Sequence, residues 1–251
     1  MSEVPPDNLA IYDAGWQSWL DMKRHGPASR WLRSLIADMY SYIQPAPLSI
    51  LDVGCGEGTT TLMLASGYPQ ASVLGVDFSA SGIAAAQRHL RQPNLRFFHD
   101  SQSSTLDRPS DLVCCFEVLE HVDDWQTFLA RLAGAAGRHL LVSFPTGRMR
   151  PFEVNVGHLR NFAPGEVEAE LSKAGFRPVR TAYAGFPFYS PLYREFCQLT
   201  DAGNSQLTRG NYGIVRKSIS ASLFWLFRYA STRQRRGDQF VGLFERVDRR
   251  E

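Results

Sequence analysis

The stretch SILDVGCGEGTTTLMLA, residues 49–65, decides how the chain is read. A short apolar segment leads through a glycine turn into a helix-like segment. Gly54, Gly56 and Gly58 stand at G-x-G-x-G spacing. Such a turn lets backbone approach a ligand closely, whatever the ligand is. The dinucleotide fingerprint is G-x-G-x-x-G, and position 59 is threonine, so an NAD-dependent oxidoreductase would need its third glycine one residue later. A phosphate-binding loop needs Gly-Lys-Ser/Thr, and the turn holds no lysine. The neighbouring charges point away from phosphate. Asp52 precedes the turn, Glu57 lies inside it, and Asp77 closes the next apolar segment. Three acids and no base suit a ligand with hydroxyls and a positive charge.

Strand-like and helix-like segments alternate outward from this turn. Strands are expected at 48–53, 72–76, 95–98, 111–116, 138–143 and 176–184, and helices at 59–66, 79–90, 124–133 and 164–173. That alternation implies a mostly parallel, doubly wound sheet with helices on both faces. A last strand-like run, QFVGLFERV at 239–247, follows after 54 residues. A connection of that length is expected to be a structured cap. Before Pro45, Trp16, Trp19 and Leu20 share one helical face, and Trp31, Leu32, Leu35, Ile36, Met39 and Ile43 recur at helical spacing. The expected organisation is an N-terminal helical extension (1–46), a ligand-binding core (47–185), an inserted cap (186–237) and the last core strand with the C-terminus (238–251).

Composition bounds the function. With 251 residues and 44% hydrophobic residues the chain can bury an ordinary core. A net charge of +2 gives no global argument for nucleic acid. Cys55, Cys114, Cys115 and Cys197 form no Cys-x-x-Cys pair, and Cys114 and Cys115 fall in an expected buried strand. This disfavours zinc and a disulfide scaffold and fits a reducing compartment. No secretory signal is read at the N-terminus and no apolar run is long enough to span a bilayer, so a cytoplasmic protein is expected.

The motifs LDVGCGEGTTT, LGVDFSASGIAAAQ, FFHDSQ and DLVCCFEVLEHVDD together resemble the class I S-adenosylmethionine-dependent methyltransferases over roughly residues 48–184. The ligand fits the charges, since it carries a sulfonium, an ammonium and a ribose diol. The resemblance implies a Rossmann-like seven-stranded sheet whose last strand runs antiparallel beside the fifth. It also implies roles. Asp77 would hold both ribose hydroxyls, and Phe78 would lie against the adenine. Asp100 would accept from the adenine amino group, with Ser101 and Glu117 also at the cofactor. Gly54, Gly56, Gly58 and neighbouring backbone would meet the methionine portion, with Asp52 near its ammonium.

EVLEHVDD supplies a second constellation. Glu117, Glu120 and His121 lie within about one turn, and His158 follows the fifth strand, so the four converge if both connections lie at the carboxyl ends of adjacent strands. Two carboxylates and two imidazoles suit Mg²⁺, Mn²⁺ or Zn²⁺. The pattern is similar to ubiquinone-biosynthesis O-methyltransferases and to small-RNA 2′-O-methyltransferases, which implies Glu117, Glu120, His121 and His158 as ligands of a divalent cation. Without a metal, His121 or His158 is the candidate general base, with Glu117 beside them.

The cap contributes aromatic residues, Phe186, Phe188, Tyr189, Tyr193 and Phe196, which either line an apolar acceptor pocket or form the cap's own core. Arg216, Lys217, Arg228, Arg233, Arg235 and Arg236 flank an apolar helix-like run at 219–230, with no acid from Arg216 to Gly237. Such a run is a core helix with a solvated basic tail, or it makes peripheral membrane contact through 216–236. The expected activity is methyl transfer from S-adenosylmethionine to an oxygen of a small-molecule or lipid-linked acceptor. N-methylation of a small molecule or sugar, RNA 2′-O-methylation and non-catalytic cofactor binding are the alternatives. No RNA-binding module is found.

Overall fold

The computed structural model describes residues 6–101, 104–199, 210–233 and 236–247. The glycine turn leaves strand β1 (Ser49–Val53) and enters helix α3 (Thr59–Gly67), after the N-terminal helices α1 (Pro6–His25) and α2 (Pro27–Ala37). Then follow β2 (Ser72–Asp77), α4 (Ala80–His89), β3 (Leu95–His99), β4 (Ser110–Phe116), α5 (Trp125–Ala135), β5 (Ala136–Pro145), α6 (Pro151–Asn155), α7 (Glu166–Lys173) and β6 (Phe176–Ala184). The described part of the cap holds an irregular turn at Phe188–Tyr193, helix α8 (Arg194–Leu199) and helix α9 (Ile214–Ala230), and β7 (Gln239–Arg246) ends the fold. Arg235 lies outside the described residues.

The seven strands form one sheet in the order β3-β2-β1-β4-β5-β7-β6. Strands β1 to β5 pair in parallel, and β7 runs antiparallel between β5 and β6. This is the doubly wound, seven-stranded arrangement expected from the sequence. Alternation along each strand feeds two cores. Val113, Cys115, Leu140 and Val142 face α5 and α7, where Phe128, Leu132, Val167 and Leu171 close one layer. Leu112, Cys114 and Leu141 face the other layer, closed by Trp31, Leu35, Ile36 and Leu64. A strand buried on both faces explains why Cys114 and Cys115, adjacent in sequence, are both inaccessible.

Differences from the expected boundaries have local causes. Helix α4 starts at Ala80 because Ser79 stays extended and its hydroxyl accepts from the Gly82 N–H. Helix α9 starts at Ile214, five residues before the apolar run. It packs on the core by one face, through Phe227 with Leu223 and Phe224 beside it. Phe227 is the fastening point. Its ring meets Trp31 of α2 at 6.0 Å and Tyr193 at 5.1 Å, and Trp31 meets Tyr189 at 4.5 Å. The N-terminal helices and the cap are thereby packed into one layer. Trp31→Ala is expected to lower unfolding free energy by about 3–5 kcal/mol, the range for removing a fully buried large aromatic. Urea unfolding followed by circular dichroism measures it.

Candidate active site

A cavity of about 360 Å³ opens around the carboxyl ends of β1, β2 and β4. The strand order reverses between β1 and β4, which is where doubly wound sheets open a ligand crevice. Asp52, Gly54, Gly56, Asp77 and Phe78 line one half, and Glu117, Glu120, His121, His158, Tyr189 and Gln239 line the other.

In the first half the turn is pinned to β2. The N–H groups of Gly54 and Cys55 donate to the Val76 carbonyl at 2.8 and 3.0 Å, and Gly56 N–H donates to Asp77 Oδ2 at 2.7 Å. Gly54 and Gly56 have φ of 77° and 55°, and a Cβ on either would overlap Val118 or Trp16. Asp77 Oδ1 accepts from Ser79 N–H at 2.8 Å, and burial raises the Asp77 pKa to about 6. Asp52 is also buried. It accepts from the Thr61 hydroxyl at 2.6 Å, and burial raises its pKa to about 7.

Helix α1 roofs this half, which the sequence did not disclose beyond the shared face of Trp16 and Trp19. Trp16 lies over Gly56, and its buried indole N–H has no partner. Tyr12 sets its ring edge-on to Phe78 at 6.0 Å and to His121 at 5.3 Å. Asp13 latches the helix by accepting from the hydroxyls of Ser79 and Ser81.

Asp100, Ser101 and Gly58 stand apart from the cavity. The Asp100 carboxylate accepts from the N–H and hydroxyl groups of both Ser104 and Thr105, at 2.7 to 3.1 Å. Those four bonds hold its pKa down at about 2 although burial opposes them. Ser101 is exposed, and Gly58 starts α3 with φ 81°.

In the second half, Glu117 has φ of 56°, the one positive φ outside glycine among the described residues. Its Oε1 accepts from Ser143 Oγ and Gln239 Nε2, both at 2.8 Å. Glu120 is fully buried, and neither of its carboxylate oxygens has a hydrogen-bond partner. Burial, then the Glu117 charge, raises its pKa far above the usual carboxylate range. His121 Nδ1 is 2.8 Å from the Gly157 carbonyl, which only accepts, so Nδ1 carries the proton. The other nitrogen, Nε2, then accepts from the Tyr12 hydroxyl at 2.8 Å. The His158 ring lies 4.7 Å from that of His121. Burial lowers the pKa of His121 to about 3 and that of His158 to about 4. Of the four expected metal ligands, Glu120, His121 and His158 converge, with ligand atoms within 4.8 Å of one another. Glu117 is outside that group, held by Ser143 and Gln239.

The cations at the cavity differ in their partners. Arg194 is paired with Glu153, and Arg33 donates to the carbonyls of Lys23 and Arg24 at 2.7 and 2.8 Å. The Lys23 ammonium lies 5.7 Å from the Trp16 ring centre and meets no carboxylate among the described residues. Of the cap aromatics, Tyr189 and Tyr193 line the cavity, Phe188 packs on the core, and Phe186 and Phe196 are exposed.

A family model described as a methyltransferase domain matches residues 51–138. The trans-aconitate 2-methyltransferase of Deinococcus radiodurans is 32% identical over 196 residues, 75% of this chain and 71% of that enzyme. The chain belongs to the class I S-adenosylmethionine-dependent methyltransferases. Against most of the other curated relatives the match spans about half their length. The trans-aconitate 2-methyltransferase of Methylobacterium radiotolerans is 36% identical over 42% of this chain and 41% of its own. A ubiquinone biosynthesis O-methyltransferase from Nitrobacter winogradskyi is 35% identical over 50% of this chain and 45% of its own. The superfamily expected from the sequence therefore holds, but the ubiquinone branch is not the main likeness: more of the relatives carry the trans-aconitate name. The crystal structure of the [4+2]-cyclase SpnF aligns over 98% of this chain and 99% of its own, with TM-score 0.63 and 18% identity, a likeness of fold.

Asp100→Ala is expected to cost about 1–2 kcal/mol of stability, as loss of a capping carboxylate does. The folded pKa is depressed, so the contribution is present above the ordinary value of 3.8 and fades as pH falls towards about 2. Urea unfolding of both proteins across acid pH measures it.

Proposed function

We propose that the protein transfers the methyl group of S-adenosylmethionine to an oxygen of an acidic small molecule, which arrives already ionised as a carboxylate. The observation that carries this reading is the state of His121. Both of its nitrogens are engaged, one by Gly157 and one by Tyr12. It has no lone pair free to deprotonate a hydroxyl. His158 is neutral in the same buried environment, and a base with a pKa of about 4 is poorly matched to an alcohol. A carboxylate acceptor needs no base. Its oxygen forms a bond to the methyl carbon as the carbon–sulfur bond breaks, giving a methyl ester and S-adenosylhomocysteine with no proton moved.

The chain's task is then alignment and exclusion of water. Lys23 supplies the counter-charge to the acceptor. Burial and the Glu117 charge raise the Glu120 pKa, which limits the repulsion an anion would meet from that side chain. Asp77, Asp52, Phe78 and the turn at Gly54 and Gly56 are the proposed contacts of the methyl donor. Asp100, engaged by Ser104 and Thr105, is not among them. The trans-aconitate name of several relatives supports an acid acceptor.

A divalent cation is a second reading, favoured by Glu120, a buried carboxylate without a hydrogen-bond partner. Glu120, His121 and His158 have the donor types to hold Mg²⁺ or a similar ion. Such an ion would supply Lewis-acid polarisation of the acceptor oxygen. Turnover unchanged by chelator would exclude it.

The test is incubation with methyl-labelled S-adenosylmethionine and a panel of carboxylic acids including trans-aconitate, alongside amines, sugars, RNA and a lipid extract. Label released as methanol by mild base is the expected result. Base-stable label would mean a hydroxyl or amine acceptor, and cofactor binding without turnover on any acceptor would sink the reading. An organic-phase ester would indicate a lipid-linked acid.

Two further outcomes are expected. Lys23→Ala raises KM for the acid at least about tenfold, the loss of one charge contact, with donor affinity unchanged. Donor affinity also falls as pH drops through about 6, because a protonated Asp77 is a poorer acceptor for the ribose hydroxyls than the carboxylate. Hydrogen bonds donated to the carboxylate lower that pKa, so binding near pH 6 releases protons. Calorimetry in buffers of different ionisation enthalpy reads the release.

A further inference from the structure

Helix α9 turns an apolar face outward. Val215, Ile219, Leu226 and Tyr229 recur at spacings of four, seven and three residues, with Trp225 beside them, and these five are 38 to 76% exposed. That spacing is one helical face. The opposite face is fastened to the fold. Phe227 packs on Trp31 and Tyr193, Arg30 lies over the Phe224 ring at 4.6 Å, and Arg228 makes a two-pronged pair with Asp38 at 2.7 and 2.8 Å. The exposed face is therefore held rigid and ready.

We propose that this face lies in the headgroup region of an anionic lipid bilayer, with α9 parallel to the membrane. Three observations select that occupant. First, the charge is one-sided. From Arg216 to Gly237 the sequence has no acid, and Arg228 and Arg233 share the single carboxylate of Asp38, leaving a cation in excess beside exposed Lys217 and Arg236. Second, Trp225 and Tyr229 stack with ring centres 5.4 Å apart and planes 8° from parallel. Such rings, apolar in body and polar at the tip, favour the headgroup level, while aliphatic side chains enter the acyl boundary. Third, α9 has 17 residues, and among the described residues no helix is long and apolar enough to cross a membrane. It lies on a bilayer or not at all.

A second copy of the chain fits less well. Two-fold pairing of antiparallel α9 helices would set Arg216 and Lys217 against Arg228, Arg233 and Arg236, positive on positive. The surface also bears on the cavity. Phe227 packs on Tyr193, a cavity-lining residue, so the bilayer would rest about one helix diameter, roughly 10 Å, from the acceptor side chains.

The test is co-sedimentation of the full chain with vesicles of phosphatidylcholine alone and of phosphatidylcholine with phosphatidylglycerol, at low and high salt. Binding is scored directly, so the result is independent of any methyl-transfer activity. Binding to the anionic vesicles at least about tenfold tighter than to neutral ones, weakened by salt, is expected. Ile219→Ser with Trp225→Ser should abolish it, and Lys217→Glu with Arg236→Glu should remove the preference for anionic lipid. All four side chains are exposed, so an unchanged melting temperature certifies that each variant is folded. Failure to bind either vesicle would overturn the proposal, as would equal binding to both with no effect of the substitutions. A dimer that Ile219→Ser dissolves, with no vesicle binding, would assign the face to a second copy instead. An acidic protein captured in place of lipid would overturn it equally.

Discussion

The hydrogen bond from the Gly56 N–H to the buried Asp77 carboxylate is the constraint on which the site depends. It fastens the turn leaving β1 to the end of β2, and the Val76 carbonyl reinforces it by accepting from Gly54 and Cys55. Only backbone with positive φ follows that path, so the glycines are a consequence of the bond as much as of any ligand. The carboxylate remains short of favourable partners. Two backbone donors do not replace the water removed by burial, and the Asp77 pKa is high as a result. A ligand that donates hydrogen bonds to it, or brings positive charge beside it, would restore what burial took away.

The other half of the site depends on β7. Placed antiparallel between β5 and β6, this strand brings Gln239 level with Pro145 and Ala184. From there Gln239 reaches Glu117, whose left-handed backbone turns at the end of β4. The residue before it, Asp238, meets Ser190 and Arg194 of the cap, and Arg194 in turn meets Glu153 of α6. One strand end therefore anchors both Glu117 and the turn that carries Tyr189 and Tyr193. Glu120 and the two histidines are shaped differently, by backbone. The Gly157 carbonyl fixes the tautomer of His121, and the Leu159 N–H donates to the Glu120 carbonyl. A conserved pattern of side chains would say little about such contacts, since they involve atoms that every residue possesses.

The sheet was legible in the sequence because each strand declares itself by apolar runs and each helix by period. Phe176–Ala184 matches the expected strand at both ends, and the others differ by a few residues where a capping side chain such as Ser79 decides the boundary. The site was legible where spacing implies proximity. Asp77, Phe78, Gly54 and Gly56 line the cavity because a parallel sheet puts successive strand ends side by side. It was not legible where one residue has two uses. Asp100 follows β3, and its carboxylate also accepts from Ser104 and Thr105, contacts that spacing does not announce. Glu117 stands three residues from Glu120 and would join the metal group on spacing alone. Its positive φ and the amide of Gln239, 122 positions away, turn it elsewhere. Tyr12 and Lys23 were invisible for another reason. Nothing in a helix preceding the fold tells which crevice it covers.

That helix is what makes the two halves one site. Tyr12 touches Phe78 with its ring edge and His121 with its hydroxyl, so a single side chain spans both halves of the cavity. Trp16 covers Gly56, and Lys23 lies further along the same helix at the cavity. Tyr12 and Trp16 lie about one turn apart, so one helix carries the side chains that cover both halves of the cavity, and Asp13 on Ser79 and Ser81 holds that helix in place. The N-terminal extension is a segment apart in sequence, and in the structure it is a wall of the site.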